Sequence, residues 1–168
     1  TDEPDEPDVP TTPTDPDEPD DGGLPFTDVR PSDWFHENVV YVYENGLMNG
    51  TSDTLFTPYG TVTRGMIVTI LHRLEGEPES GYDMPFTDVA EGQWYTEAIR
   101  WAAGEGIVNG VSDTAFAPND PITREQFAAI LWRYAKSKGY DVSIGESTNI
   151  LSYSDFDEIS EYAIEAMQ

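Results

Sequence analysis

One stretch of sequence occurs twice, and the rest of the chain is arranged around it. Residues 49–58 read NGTSDTLFTP and residues 61–64 read TVTR, while residues 109–118 read NGVSDTAFAP and residues 121–124 read PITR. Equivalent positions are always 60 residues apart, so the loop has the same length in both copies. Because a hydrophobic core alone tolerates insertions in surface loops, the constant length indicates that this loop and the segment after it keep a defined geometry.

Each copy of the stretch ends at a predicted helix start. Thr63 and Thr123 precede apolar runs, as helix N-caps do, and Gln126 lies where it completes a capping box with Thr123. Arg64 and Arg124 are then the first helical residues, where the helix dipole disfavours a cation. An arginine beside free backbone N–H groups indicates a site for an anion. The alternative is a surface arginine paired with one of the many carboxylates of the chain.

The composition restricts the classes of partner and chemistry. The 168 residues include 33 acidic and 8 basic side chains, and the formal net charge is -25. Because nucleic acids and anionic membranes bind basic surfaces, we expect no nucleic-acid partner, and no apolar run is long enough for membrane insertion. Cysteine is absent, which excludes disulfides and thiolate chemistry. His36 and His72 have no histidine at the equivalent position of the other copy, so we expect no metal site, no cofactor and no enzymatic activity.

The first 25 residues differ in composition from the rest. Residues 1–25 are rich in Pro, Asp, Glu and Thr, and proline recurs at every third position from Pro4 to Pro19. Such a segment buries too little apolar surface to fold, so we predict a disordered acidic Pro-rich N-terminal linker. The chain has no initiator methionine or signal-like segment at Thr1, so we expect it to follow other segments of a larger protein.

The remainder reads as helix–loop–helix repeats, which predicts a mainly α fold. FTDV occurs at residues 26–29 and 86–89, and a tryptophan follows at Trp34 and Trp94. Helical periodicity then predicts a buried face in the second copy and a weaker one in the first. These faces are Trp94, Ala98, Trp101 and Ala102, and Trp34, Asn38, Tyr41 and Val42. The second helices carry the apolar stripes Ile67, Ile70, Leu71 and Leu74, and Phe127, Ile130, Leu131 and Tyr134.

A third copy begins and does not finish. Residues 153–155 read YSD, an echo of FTD at residues 86–88, and Tyr162 then falls on the position of Trp94. Ile159, Tyr162, Ala163, Ala166 and Met167 predict one helical stripe. The sequence reaches Gln168 without a third loop or a third Thr-Arg pair, so we expect an apolar surface to stay exposed.

With these motifs the chain resembles the S-layer homology (SLH) family, with repeat 1 at 26–80, repeat 2 at 86–140 and a partial repeat 3 at 150–168. The resemblance implies a pseudo-threefold helical bundle that serves as a secreted, non-catalytic anchor at the bacterial cell wall, or S-layer. The implied partner is a secondary cell-wall polysaccharide, often recognised through a pyruvylated amino sugar. The first copy departs from the Thr-Arg-Ala-Glu pattern of the family, because residues 63–66 read TRGM.

The resemblance also implies ligand-binding residues. Arg64 and Arg124 would contact the acidic group, beside Trp34, Trp94, Gly50, Gly110, Thr63 and Thr123. Each has a structural alternative: a tryptophan can serve the core, and a glycine can serve a turn. Asp28 and Asp88 are better explained by capping of the first helix or ordering of its loop than by ligand contact.

Two functions follow from this sequence. The first is carbohydrate-binding anchorage in grooves between the repeats. The alternative is a structural or protein-interaction module that mediates surface-layer assembly, with self-association through the incomplete third repeat.

Overall fold

The computed structural model describes residues 23–143 and 150–168, and these residues are mainly α-helical. The helices are α1 (His36–Glu44), α2 (Arg64–Leu74), α3 (Thr96–Gly104), α4 (Arg124–Ser137) and α5 (Ile164–Met167). Three short 3₁₀ turns precede α5, at Ile150–Ser152, Phe156–Glu158 and Glu161–Ala163. Within the described part of the chain, β-structure is limited to isolated bridges. The predicted mainly α fold is therefore confirmed, whereas the pseudo-threefold arrangement stays a prediction.

The chain divides into two compact units. The N-terminal unit contains residues 23–45 and 49–58, and the C-terminal unit contains residues 46–48 and the described residues from 59 onward. Most of the predicted linker, residues 1–22, lies outside the described residues. Leu24 belongs to the core of the N-terminal unit, so the folded part begins two residues before the predicted Phe26.

The N-terminal unit has a small core beneath α1. Its buried side chains are Leu24, Phe26, Val29, Phe35 and Val39. The predicted face that includes Trp34 and Tyr41 is wrong, because Trp34 is 83% exposed and Tyr41 is 62% exposed. α1 begins two residues after Trp34, and the neighbouring Phe35 takes the core position.

The C-terminal unit has the larger core, and α3 supplies much of it. Ala98, Trp101 and Ala102 are buried as predicted. Trp94 is the exception, since it precedes α3 and is 54% exposed, while Tyr95 is buried in its place. The stripes on α2 and α4 are only partly right. Leu71 and Ile130 are buried, whereas Leu74, Phe127 and Leu131 are more than one third exposed.

The second helix of each repeat packs on the helical segment that follows in the next repeat. α2 packs on α3, and α4 packs on α5 and on the 3₁₀ turn at Glu161–Ala163. In the incomplete third repeat, the predicted stripe is a 3₁₀ turn followed by the short α5, and Ala163 is its buried residue. This recurring contact creates equivalent clefts along the chain.

Aspartates hold the repeated loops in place. Asp88 accepts hydrogen bonds from the backbone N–H groups of Phe116 and Ala117, at 2.8 and 2.7 Å. Asp28 makes the equivalent bonds with Phe56 and Thr57. Asp28 and Asp88 therefore order the loop backbone, and neither caps a first helix, since the N-caps of α1 and α3 are Phe35 and Tyr95.

Candidate functional site

The predicted helix starts are confirmed. Thr63 and Thr123 are the N-caps, and their side-chain oxygens accept hydrogen bonds from the backbone N–H groups of Met66 and Gln126. Thr123 and Gln126 form the predicted capping box. Arg64 and Arg124 are thus the first residues of α2 and α4.

Arg64 is buried against the loop of the second repeat. Its side chain is 5% exposed, its Nε–H donates to the carbonyl oxygen of Phe116 at 2.9 Å, and its Nη2 donates to that of Asn109 at 3.0 Å. The guanidinium carbon lies 4.6 Å from the centre of the Phe116 ring. No described carboxylate forms an ion pair with Arg64. The surface ion pair that was the alternative interpretation therefore does not describe this residue.

The backbone N–H groups at the start of α2 are already used. Those of Arg64 and Gly65 donate to the carbonyl oxygens of Asp120 and Pro118, at 3.1 and 2.9 Å. The expectation of free N–H groups beside Arg64 is therefore wrong for α2. Any anion at this place would be held by side chains and by the loop rather than by the helix terminus.

A cavity of about 250 Å³ lies beside Arg64. Among the described residues, two arginines line it, Arg64 and Arg133, and no aspartate or glutamate does. The remaining lining residues are Asn109, Gly110, Gln126, Ala129, Ile130 and Tyr162. In a chain with only 8 basic residues, two of them share one cavity. The cavity is therefore a cationic site in an acidic protein.

Several influences act on the pKa of Arg64. Burial lowers this pKa, and the like charge of Arg133 lowers it further. Two neighbours, Tyr162 and Asp120, act to raise it. An arginine nevertheless stays protonated at neutral pH. An anion placed in the cavity would offset both the burial and the repulsion between the two cations.

A carboxylate of α4 positions the tyrosine that lines the cavity. Glu125 accepts hydrogen bonds from the backbone N–H and hydroxyl of Ser160, at 2.9 and 3.1 Å, and from the Tyr162 hydroxyl at 3.0 Å. The backbone hydrogen bond from Ser160 is the main reason that the pKa of Glu125 is lowered. Burial and the bond to Glu125 raise the pKa of Tyr162. The third repeat is thus attached to the first turn of α4.

Neither of the two loop glycines has room for a side chain. A side chain at Gly110 would meet the carbonyl oxygens of Ser112 and Ala115, so close packing excludes it. Gly50 has a φ of +80°, and a side chain there would also meet Phe26. Close packing therefore excludes a side chain at both glycines, and the positive φ is an additional reason at Gly50.

The other predicted ligand residues do not line this cavity. Arg124 is exposed at the start of α4, Thr63 and Thr123 serve as caps, and Trp34 and Gly50 belong to the N-terminal unit. Trp94 lines a second cavity of about 300 Å³, at the contact between α2 and α3. The structure therefore brings together Arg64 and Gly110 and leaves the other six apart from them.

Arg133 is the charged lining residue that sequence reasoning missed, and the uncharged lining residues Asn109 and Tyr162 were not predicted as ligand residues either. A signal was available for Arg133, because the 60-residue offset that relates Arg64 to Arg124 also relates Arg73 to Arg133. Both arginines lie in the second helices, in stretches whose periodicity predicts an apolar stripe.

These features define a class of protein: a helical repeat module in which the arginine at the start of one repeat's second helix is held by the loop of the next repeat, beside a cavity. The family model of the S-layer homology domain matches residues 25–65 and 85–128, so the chain belongs to the S-layer homology domain family.

Curated relatives are much longer proteins. An endoglucanase of Bacillus sp. (strain KSM-635) is 36% identical over 145 residues, which covers 86% of this chain and 15% of the relative. The Surface-layer 125 kDa protein of Lysinibacillus sphaericus is 38% identical over 101 residues, 60% of this chain and 8% of the relative. The S-layer protein sap of Bacillus anthracis is 28% identical over 109 residues, 65% of this chain and 13% of the relative.

Family membership defines the general role. S-layer homology domains are non-catalytic modules that anchor proteins to the cell surface, and this chain is accordingly a secreted module associated with the cell wall. Where relatives are named as enzymes, this chain matches 15% or less of their length. No helix among the described residues is long and apolar enough to cross a bilayer.

Proposed function

We propose that the cavity beside Arg64 binds an acidic sugar of a secondary cell-wall polysaccharide and thereby attaches the protein to the wall. A pyruvylated amino sugar, which carries a carboxylate on its ketal, has the required charge. The observation that supports this proposal is a guanidinium group that is 5% exposed, lines a cavity and has no ion pair with a described carboxylate.

The lack of an ion pair between Arg64 and any described carboxylate is significant because the chain is so acidic. With 33 acidic residues, a carboxylate partner for a buried arginine would be easy to supply. Burial of an unpaired charge is costly, so a buried cation normally has a partner. Arg64 contacts only neutral carbonyl oxygens and a ring through the bonds described above. An external carboxylate would complete the electrostatics of the site.

The donors of Arg64 fit such a ligand. A guanidinium has five N–H donors, and the bonds to Phe116 and Asn109 use two of them, which leaves three. Arg133 offers a second guanidinium across the cavity. Paired N–H groups of arginine suit carboxylates particularly well.

The walls of the cavity suit a single sugar ring. Tyr162 is 50% exposed and presents an aromatic ring, which can stack on the apolar face of a sugar. Gly110 adds backbone polar groups without a side chain in the way. A volume of about 250 Å³ is at the small end for ligand pockets, which favours one sugar unit over an extended chain segment.

Arg124 and the other predicted residues stay candidates for ligand binding, but the evidence for them is weaker than that for Arg64. Arg124 is exposed and does not line the cavity that Arg64 and Gly110 share. We therefore assign the acidic sugar to Arg64 first.

The proposal is tested with purified wall polysaccharide. The chain should sediment with native polymer and should lose this association after mild acid removes the pyruvate ketals. Arg64→Gln should bind weakly, and circular dichroism would show whether that variant is folded. Equal binding to native and acid-treated polymer would refute the proposal, whatever the behaviour of the variant.

A second candidate function is protein interaction during surface-layer assembly. Phe127 and Leu131 on α4 are 38% and 39% exposed, and at i and i+4 they lie on the same face of that helix. Analytical ultracentrifugation decides this point. Concentration-dependent association that Phe127→Ser abolishes would support it, and a monomer at all concentrations would eliminate self-association.

A further inference from the structure

Two cavities of the C-terminal unit are lined by equivalent residues. The 60-residue offset relates Thr69 to Ala129 and Arg73 to Arg133. The match of the third repeat relates Trp94 to Tyr162. The first member of each pair lines the second cavity, and the other member lines the cavity beside Arg64. The volumes, about 300 and 250 Å³, are also similar. The two cavities therefore correspond in volume and in these three positions, whereas Arg64, Asn109 and Gly110 line only the first of them.

The charges of the two cavities are opposite. In the part of the chain that the structure describes, the cavity beside Arg64 is lined by two arginines and no aspartate or glutamate. The second cavity is lined by Arg73 together with Glu77, Glu79 and Glu97. One cavity thus has a surplus of two positive charges, and the other has a surplus of two negative charges.

The segment after α2 brings two of these carboxylates into the second cavity. Gly76 and Glu77 both have positive φ, +79° and +56°, which is rare for glutamate. The Glu77 N–H donates to the carbonyl oxygen of His72 at 2.9 Å, and the His72 Nε2 lies 3.0 Å from the carbonyl oxygen of Pro78. This turn is therefore fixed against α2.

Glu77 then lies close to the arginine of the second cavity. Its Oε1 is 3.8 Å from the Nε of Arg73, and Arg73 also donates to the carbonyl oxygen of Leu47 at 3.1 Å. After α4 the chain differs, because the turn glycine Gly139 is followed by Tyr140 rather than by an acidic residue. Within residues 23–143 and 150–168, no aspartate or glutamate lines the cavity beside Arg64 in an equivalent way.

We infer that Glu77 and Glu79 are specificity-determining residues, which occupy the second cavity with negative charge and exclude acidic sugars from it. The C-terminal unit then takes one acidic sugar, in the cavity beside Arg64. This inference rests on the proposed function. It adds that, of two cavities with equivalent lining positions, only one binds an acidic sugar.

The test is an NMR titration of the ¹⁵N-labelled chain with a 4,6-O-pyruvylated N-acetylhexosamine, with the same sugar lacking the ketal as a reference ligand. In the unmodified chain, amide shifts should change around Gly110 and stay constant around Ala98, with one ligand bound per chain. Replacing the three carboxylates of the second cavity by glutamine should add shifts around Ala98 and raise the stoichiometry to two. These replacements are Glu77→Gln, Glu79→Gln and Glu97→Gln.

A control variant separates the local effect from the change in net charge. It carries the same number of replacements at exposed residues outside both cavities, namely Glu105→Gln, Glu158→Gln and Glu161→Gln. The control should still bind one ligand. A second site in the control or in the unmodified chain, or a single site in the cavity variant, would overturn the inference while leaving the proposed function intact. No shift around Gly110 in any protein would overturn the proposed function instead, and the inference with it.

Discussion

Replacing Arg133 by glutamine should weaken binding of an acidic sugar without lowering stability. Arg133 lines the cavity, and it has no hydrogen bond or ion pair with a described residue. Its removal therefore breaks no contact that holds the fold together. Arg64 is a poorer choice for this test, because its bonds to Phe116 and Asn109 also support the loop.

The size of the effect follows from Coulomb's law. A carboxylate about 5 Å from a guanidinium gains about 3 kcal/mol at an effective dielectric constant of about 20. Arg133 is partly exposed, and solvent screening reduces the gain to about 1 kcal/mol. That value corresponds to about a fivefold increase in Kd. Salt should weaken binding in the unmodified chain more than in Arg133→Gln, because the variant has lost one charge contact.

Isothermal titration calorimetry with the pyruvylated sugar measures this change, and urea unfolding measures stability. Arg73→Gln is the matched control, since it removes the same side chain from the equivalent position in the second cavity. Its Kd should stay within about twofold of the unmodified value, which is the usual size of a surface effect. Equal weakening in both variants, or no weakening in Arg133→Gln, would refute the reasoning.

Three further predictions concern the framework. Asp88→Ala should destabilise the chain by about 2 kcal/mol in urea unfolding, because two charge-assisted hydrogen bonds to the loop are lost; an unchanged midpoint would contradict the assigned role. Gly65→Ala should cost about 1–3 kcal/mol, since the new methyl group would lie 2.9 Å from a carbonyl oxygen, whereas Gly81→Ala has open space and should be neutral or slightly stabilising. The lowered pKa of Glu125 means that its contribution is complete above the ordinary glutamate pKa of 4.5 and is lost as pH falls through the lower folded value. Stability should therefore decline below about pH 5, and Glu125→Gln, measured by thermal unfolding against pH, should decline less steeply; parallel curves would contradict this.

Local sequence signals predicted the starts of α2 and α4. Thr63 and Thr123 cap these helices as predicted, and glycines are typical helix stops, as Gly46 and Gly106 after α1 and α3, both with positive φ, illustrate. Capping and the left-handed conformation of glycine depend on a few neighbouring residues, so a single sequence contains the information.

Which side chains face the core was harder to predict. The expected faces assumed that the helices begin at the tryptophans, but α1 and α3 begin two residues later. Trp34 and Trp94 instead lie edge-on against the next ring, Phe35 and Tyr95 respectively. The buried position passes to that second aromatic residue, because the turn before the helix does not follow the 3.6-residue period.

The contacts between repeats could not be predicted from the sequence. Arg64 was predicted to face an anion beside free N–H groups, yet those groups bind carbonyl oxygens near residue 120. Main-chain contacts of this kind depend on where the backbone lies in space, and the pattern of side chains in the sequence does not predict them. For the same reason, the pairing of Arg64 with Arg133 in one cavity became visible only in three dimensions.

The joint between α2 and residues 118–122 has a consequence for how such modules diverge. It is made of main-chain hydrogen bonds from Arg64, Gly65 and Ile122, with a bridge between Thr63 and Pro121. Because peptide groups are common to all residues, most side chains around the joint can change during evolution while the connection persists. Neighbouring units can then acquire different ligand preferences, or be exchanged between proteins, as long as the position occupied by Gly65 stays free of bulk.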